Sequence, residues 1–72
     1  MSERKYLSML KDEPEVLSVL DVARILRIGK NKAYGLINNG TIGSIKVGGK
    51  IIIPKIRLIA FLLDAKNYQL NP

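Results

Sequence analysis

Apolar residues follow a helical period over two neighbouring segments in the first half of the chain. In the first segment, one face of the predicted helix is apolar: Val22, Ala23, Ile25 and Leu26. Ser18 and Asp21 precede this face with the spacing of a capping box, in which the Ser18 hydroxyl accepts a hydrogen bond from the Asp21 amide. The pattern therefore predicts a helix that begins after Ser18 and stops at Ile28-Gly29.

A second helix is predicted from Lys30 to Asn38. Ala33, Leu36 and Ile37 have the spacing i, i+3, i+4, which places them on one buried stripe. Asn39-Gly40 ends the helix, because glycine readily adopts the left-handed conformation. The residues on the other side of this helix are mostly polar: Lys30, Asn31, Lys32, Tyr34 and Gly35.

After Gly40 the period changes from that of a helix to that of a strand. Ile45-Lys46-Val47 alternates, Gly48-Gly49 is a two-residue hairpin signal, and the β-branched run from Lys50 to Ile53 returns the strand. Pro54 ends this strand and suits the first turn of a last helix, where its missing amide is not needed. We expect that helix to bury one stripe, widened by Phe61 and Leu62: Ile56, Ile59, Ala60 and Leu63.

The two ends of the chain carry weaker patterns. Tyr6, Leu7 and Leu10 have helical spacing, which allows a short amphipathic helix before Pro14 breaks the pattern. We interpret residues 1–16 as a frayed or loosely docked arm and residues 65–72 as a loosely ordered tail. Residues 17–64 form a small α+β domain with two helices, a β-hairpin and a C-terminal helix.

The charges of the chain are unevenly distributed. The net charge is +6, and between Val22 and Leu63 there are eight basic residues and no carboxylate: Arg24, Arg27, Lys30, Lys32, Lys46, Lys50, Lys55 and Arg57. The positive charge therefore belongs to the folded body. Such a body favours a polyanion as its partner, and the commonest polyanion is nucleic acid.

Several function classes lack the residues they need. The chain has no cysteine and no histidine, which excludes a disulfide framework and leaves no thiolate or imidazole for zinc. No carboxylate pair lies inside the folded body, and Ser18 with Asp21 is a cap rather than a catalytic pair. We therefore expect no enzyme, no metal and no cofactor. Without a long apolar run or the apolar centre of a signal peptide, a cytoplasmic, nucleoid-associated protein is expected.

Two short helices joined by a tight turn and followed by a glycine-tipped hairpin are the pattern of a winged helix-turn-helix. Five segments and a single leucine also resemble one family in its order of motifs: Leu17–Ala23, Leu26, Tyr34–Gly40, Lys46–Gly49, Ile53-Pro54 and Phe61-Leu62. Over about Leu17 to Leu63, the chain is similar to the excisionase-type winged helix-turn-helix domains, which are related to the DNA-binding half of the mercury-resistance-regulator superfamily.

This resemblance implies a mode of binding and two roles. The second helix would enter the major groove of duplex DNA, and the hairpin would lie over the neighbouring backbone or minor groove. Family members act beside an integrase as recombination directionality factors of mobile elements, which is the role expected here, or as small transcriptional regulators. Several copies are expected on repeated sites, with possible self-association on DNA. The chain departs from the family at two positions. Family members often have Ser or Thr at the position of Gly29, and they often have arginine at the position of Gly35.

The expected DNA contacts lie on three elements: Lys30, Asn31, Lys32 and Tyr34 on the second helix, Lys46 and Lys50 beside the hairpin tip, and Arg24 and Arg27 on or after the first helix. Cations in the first turn oppose the helix dipole, so local stability does not account for them. Without DNA contact, the polar first turn of the second helix would be a solvated face and Tyr34 would be a half-buried core residue. The glycine pair at the hairpin tip would then serve only to form the turn. For Lys55, contact with a phosphate and simple exposure to solvent are equally expected.

Three further function classes remain as alternatives to duplex-DNA binding. A protein-interaction module would use the hairpin and the last helix, with Leu58, Leu62 and Leu70 as an exposed apolar patch. A binder of structured RNA fits the charge but not the helix-turn-helix, because the major groove of duplex RNA is too narrow for a helix. Binding to anionic lipid lacks the strongly amphipathic basic helix that it would need.

Overall fold

A computed structural model describes residues 2–69 of the chain as four helices and a three-stranded antiparallel sheet. The elements are α1 (Ser2–Met9), β1 (Val16–Leu17), α2 (Val19–Leu26), α3 (Lys30–Asn38), β2 (Ile45–Val47), β3 (Lys50–Pro54) and α4 (Lys55–Gln69). The strand order is β1-β3-β2. This confirms the predicted α+β fold with a helix-turn-helix followed by a wing.

The central strand of the sheet is β3, which pairs with both other strands. The first three residues of β3 pair with β2 to form the predicted hairpin. Its last two residues pair with β1, where Leu17 lies opposite Ile53. Both of these side chains are buried. Strand β1 was not predicted, because two residues are too few to show a period. It connects the segment before α2 directly to the base of the wing.

The two central helices begin as their local sequences predict, and α3 also ends as predicted, whereas α2 ends at Leu26, before the predicted stop at Ile28-Gly29. The Ser18 hydroxyl accepts from the Asp21 amide at 3.1 Å, and the Asp21 carboxylate accepts from the Ser18 amide at 3.0 Å, which confirms the capping box. Helix α3 has the predicted bounds. It ends before Gly40, whose φ of 85° lies in the left-handed region. The Asn39 side chain accepts from the amide and hydroxyl of Thr41, which closes the turn.

The core lies between α2, α3, the sheet and one side of α4. Its buried apolar residues are Leu10, Leu17, Val19, Val22, Ala23, Ala33, Ile37, Ile42, Ile53, Leu58 and Ile59. Ile42 is fully buried although it lies in the loop after α3, and its amide donates to the Leu36 carbonyl at 3.0 Å. A single apolar residue between polar neighbours has no period, so the sequence pattern did not reveal this position.

The face that α4 buries differs from the predicted one. Ile56 is 69% exposed and Ala60 is exposed, so these two assignments to the core were wrong, whereas Ile59 is buried as expected. Lys55 and Leu58 join Ile59 in the buried stripe, and the predicted Phe61, Leu62 and Leu63 are partly buried against the core. Apolar residues surround most of this helix, so its periodicity does not select a face.

The proposed apolar patch on α4 is also wrong. Leu58 is fully buried and Leu62 is partly buried, packed against the core. Leu70 lies outside the described residues. The protein-interaction alternative therefore loses its apolar patch on α4, whereas the hairpin part of its surface is exposed.

Lys55 is a buried cation at the start of α4, so the phosphate contact weighed for it is wrong. Its ammonium group donates to the carbonyls of Leu10 at 3.1 Å and of Glu13 at 3.0 Å. Its backbone amide also donates to the Glu15 carbonyl at 2.8 Å. These charge-assisted hydrogen bonds offset the desolvation of the ammonium group. They also hold the segment before β1 against the body.

The N-terminal arm is docked rather than frayed, because α1 packs against α4 and Leu10 is buried. Leu7 is exposed, and the side chain of Tyr6 lies outside the described residues. Helix α4 continues to Gln69, into the segment expected to be loosely ordered, while residues 70–72 lie outside the description. No helix within residues 2–69 is long and apolar enough to cross a membrane.

Replacing Lys55 by methionine should destabilise the fold by about 1–3 kcal/mol, because two carbonyls lose their donor while the volume is nearly kept. Chemical denaturation measures this loss. Faster trypsin cleavage at Lys11 should accompany it as the arm loosens. The matched control is Lys46→Met on β2, where the side chain is exposed, and no comparable change is expected there. Equal stabilities for the two variants would contradict the role given to Lys55.

Candidate nucleic-acid interface

The turn between α2 and α3 places the two helices as a helix-turn-helix. Three residues, Arg27 to Gly29, connect the helices. The Ile28 amide donates to the Ala23 carbonyl at 3.0 Å and the Arg27 amide donates to the Arg24 carbonyl at 3.3 Å, which is the pattern of a Schellman motif. Arg27 itself has φ 57° and ψ 46°. Glycine is the usual residue in this left-handed position, so an arginine here is locally unfavourable.

Helix α3 has one buried side and one open side. Ala33 is fully buried, Ile37 is 4% exposed and Leu36 is partly buried against the core, so the predicted stripe is buried. The side chains of Lys30, Asn31 and Lys32 are exposed. The first turn of α3 therefore presents two ammonium groups and an amide to solvent, which is the orientation that a DNA-reading helix requires.

The N-terminus of α3 is not neutralised by the protein itself. Gly29 occupies the cap position and provides no side-chain hydrogen bond, and no acidic residue lies in the first turn. The first amide groups of α3 and the exposed side chains of Lys30 and Lys32 thus belong to the same turn. Helix dipole and side chains together create a positive potential there that favours an anion.

Gly35 lies in the interior of α3 but is not required by packing against α2. A Cβ atom added at Gly35 would meet no described atom within 4 Å apart from the neighbouring backbone of its own helix. The position is exposed, and glycine in a helix interior costs about 1 kcal/mol relative to alanine. A close approach of α3 to α2 therefore does not explain why this residue is glycine.

The hairpin of β2 and β3 carries one lysine on each of its faces. Val47 pairs with Lys50, and Lys46 pairs with Ile51. Directly paired residues share a face and successive residues alternate, so Lys46 and Lys50 point to opposite sides. Both are exposed. Gly48, with φ 63°, forms the narrow tip between them.

A groove runs between the N-terminus of α2, the open side of α3 and the wing. It has a volume of about 280 Å³, and its lining residues are Ser18, Val19, Leu20, Tyr34, Gly49, Lys50 and Ile51. Tyr34 is 38% exposed, so it is neither a core residue nor fully solvated. It lines the groove together with Gly49, Lys50 and Ile51 of the wing. The contribution of Leu20 was not predicted, because it precedes the apolar face of α2 and is 60% exposed.

Arg24 is exposed but already paired with two carboxylates. Its guanidinium group donates to both oxygens of Glu13, at 2.8 and 3.1 Å, and lies 3.7 Å from Asp21. The hydrogen bond from Arg24 holds the pKa of Glu13 below its ordinary value. The Ser18 backbone amide is the main cause that lowers the pKa of Asp21. Both carboxylates therefore stay ionised beside Arg24.

The predicted contact residues consequently fall into two groups. One group has cationic, polar or aromatic side chains open to solvent on α3, on the turn before it and on the hairpin: Arg27, Lys30, Asn31, Lys32, Tyr34, Lys46 and Lys50. The other group is Arg24 alone, whose charge is balanced by the arm and by the capping box.

Residues 16–66 match the family described as a helix-turn-helix domain. The match covers well over half of the chain. It includes α2, α3, the whole sheet and most of α4, so the chain belongs to this family. No curated protein and no solved structure matches the chain significantly. Helix-turn-helix domains act by binding DNA, and this chain is a DNA-binding domain of that class.

Replacing Arg27 by glycine should stabilise the fold by about 1 kcal/mol, because glycine removes the strain of the left-handed conformation. The same variant should bind a 30-base-pair duplex of mixed sequence more weakly, since a cation beside α3 is lost. Denaturation and fluorescence anisotropy measure the two effects. Arg24→Gly, inside α2, should instead destabilise by about 1 kcal/mol. If the Arg27→Gly variant were stabilised but bound DNA with unchanged affinity, Arg27 would be a solvent-exposed residue with no part in DNA binding.

Proposed function

We propose that the chain is an excisionase-type recombination directionality factor that binds duplex DNA in a sequence-selective manner and acts beside an integrase. The observation that carries the DNA-binding mode is the exposed first turn of α3. Lys30 and Lys32 oppose the helix dipole there, with no capping side chain and no acidic residue in the first turn. A negatively charged ligand explains why such an arrangement is retained.

In this mode α3 enters the major groove with its N-terminal half. Lys30 and Lys32 contact phosphates or the edges of guanines, and Asn31 pairs with adenine. Tyr34 donates its hydroxyl to a phosphate from the rim of the groove beside the wing. Gly35 lets the DNA backbone approach the helix closely, which is supported by the open space that a Cβ atom at this position would enter.

The wing inserts edge-on into the adjacent minor groove. Lys46 and Lys50 extend from opposite faces of the hairpin, so each is directed toward a different strand of the duplex. A tip of two glycines is narrow enough for a groove of roughly 6 Å. Arg27 contacts a phosphate beside α3. Arg24 can contact a phosphate only after its ion pair with Glu13 breaks. We therefore expect its contribution to DNA affinity to be the smallest among the eight expected contact residues.

Affinity for DNA should depend steeply on salt, because about five to seven phosphates are neutralised and each contributes a slope of about 0.9. The variant with alanine at Lys30, Lys32, Lys46 and Lys50 should lose most of its affinity for a mixed-sequence duplex and most of this slope. Anisotropy titrations between low and physiological salt measure both quantities. Retained affinity in this variant would overturn the proposed interface.

The control for charge alone is a pair of double variants. Lys30→Ala/Lys32→Ala and Lys5→Ala/Lys11→Ala each remove two exposed cations, but only the first pair lies on α3. The first variant should bind at least tenfold more weakly, and the second should bind nearly as the unaltered chain does. Because the first pair opposes the helix dipole, its removal should not destabilise the fold.

The recombination role is separated from transcriptional regulation by where the protein binds. Footprinting should show protection of repeated sites within the attachment region of a neighbouring integrase gene, and circular permutation assays should show that the DNA bends. A single domain of this size buries only about 600–1,000 Å² of protein surface, so several adjacent copies are expected. Protection confined to the promoter of the protein's own gene would instead establish a transcriptional regulator.

A further inference from the structure

The loop between α1 and β1 holds the backbone of Glu13 in a fixed place. The Glu13 amide donates to the Leu10 carbonyl at 3.0 Å, and the Glu13 carbonyl accepts from the Lys55 ammonium group, also at 3.0 Å. Leu10 is itself part of the buried core. Because this backbone is bonded on both sides, only the Glu13 side chain has to be ordered when it forms an ion pair, which lowers the entropy cost of that pair.

The guanidinium group of Arg24 is the partner of the Glu13 carboxylate. Two hydrogen bonds, one from each terminal nitrogen, join the groups, and bidentate pairs of this kind are among the stronger ion pairs in proteins. Asp21 lies 3.7 Å from the same group, but its other oxygen accepts from the Ser18 amide. The hydrogen bond with Glu13 is the main cause that raises the pKa of Arg24, and Asp21 contributes less. Glu13 is therefore the residue that holds the guanidinium group in place.

Arg24 lies on the side of α2 that borders the proposed DNA interface. Leu20, one turn earlier on the same side of the helix, lines the groove together with Tyr34 and Lys50. Arg27, three residues after Arg24, belongs to the turn that leads into α3. A guanidinium group between these two positions can extend toward a phosphate of bound DNA, whereas its hydrogen bonds with Glu13 direct it toward the arm.

We propose that Glu13 controls DNA affinity through Arg24: the docked arm withholds this arginine from the phosphate backbone, so the contact is autoinhibitory. The proposal rests on the DNA-binding mode given above. A carboxylate and a phosphate compete for the same planar fork of donors, so Arg24 serves one of them at a time. Exchange of Glu13 for a phosphate also leaves an unpaired carboxylate beside a polyanion, which opposes the exchange. The unaltered chain therefore binds DNA with Arg24 still paired to the arm.

Removal of the Glu13 charge in the full chain tests this contact. Glu13→Gln nearly keeps the size of the side chain and keeps both backbone hydrogen bonds, but it releases Arg24. Affinity for a mixed-sequence duplex should rise by about threefold, which is the scale of an exposed ion pair. The salt slope should steepen by about 0.9, because one more phosphate is neutralised. Fluorescence anisotropy measures both quantities, and unchanged or weaker binding would overturn the proposal.

Glu15→Gln is the matched control for the loss of one negative charge. Glu15 is exposed in the same loop, its carbonyl accepts from the Lys55 amide, and it forms no ion pair with another described residue. Long-range attraction to DNA increases similarly in both variants. A larger gain for Glu13→Gln than for Glu15→Gln is therefore expected from the release of Arg24. Equal gains would assign the effect to net charge and would contradict the proposal.

The double variant Glu13→Gln/Arg24→Gln shows whether Glu13 acts through Arg24. Arg24→Gln should lower affinity by about threefold in the Glu13→Gln background and change it little in the unaltered chain. The added salt slope should disappear in the double variant. Because Arg24 is exposed and Glu13 is partly exposed, each variant should remain folded, which chemical denaturation verifies. Additive effects of the two substitutions on affinity would show that the residues act independently, and the proposal would be wrong.

Failure of this proposal is distinguishable from failure of the DNA interface. In the same assay, Lys30→Ala/Lys32→Ala weakens binding if α3 contacts DNA, whether or not Glu13 holds Arg24. Weak binding of this lysine variant together with additive effects at Glu13 and Arg24 would reject the autoinhibitory contact alone. Retained binding of the lysine variant would reject the interface and the autoinhibitory contact together.

Discussion

The buried ammonium group of Lys55 is the contact on which the positions of the arm, the wing and α4 depend. It lies where β3 ends and α4 begins, and it donates to two carbonyls of the segment before β1. The backbone amide of the same residue donates to Glu15, next to the pairing of Val16 with Pro54. One residue thus joins the N-terminal segment to the central strand. Because that strand also forms half of the hairpin, the same junction orients the wing relative to α2 and α3.

The sequence predicted the parts of the fold that local rules determine. The capping box at Ser18, the bounds of α3, the left-handed Gly40 and the hairpin at Gly48 each depend on a few neighbouring residues, and each has the predicted form. The errors concern long-range packing. Lys55 was assigned to the surface because no sequence pattern reveals carbonyls more than 40 residues away. Ile56 was assigned to the core because α4 is apolar on most sides, so tertiary contacts select its buried face.

The exposed first turn of α3 was also predicted from local features, and its surroundings show why those features belong together. Four locally unfavourable choices occur between Arg27 and Gly35. They are an arginine in a left-handed position, a cap without a side chain, two cations against the helix dipole, and a glycine inside a helix. Each weakens the free fold, and proteins tolerate such departures from local rules mainly at functional sites. What the sequence did not predict is the groove beside the wing, because its walls come from three separate elements.

The way in which the chain balances its charges connects its stability to its ligand. Lys55 is neutralised by carbonyl dipoles rather than by a carboxylate, and within the described residues both ion pairs involve Arg24. The remaining cations of α3 and the wing therefore repel one another, and no carboxylate among the described residues pairs with them. A polyanion that binds the folded state removes this repulsion, and such a ligand stabilises the fold by mass action. The excess of positive charge is thus a cost to the free domain that DNA binding relieves, and the strength of that coupling decreases as salt screens the charges.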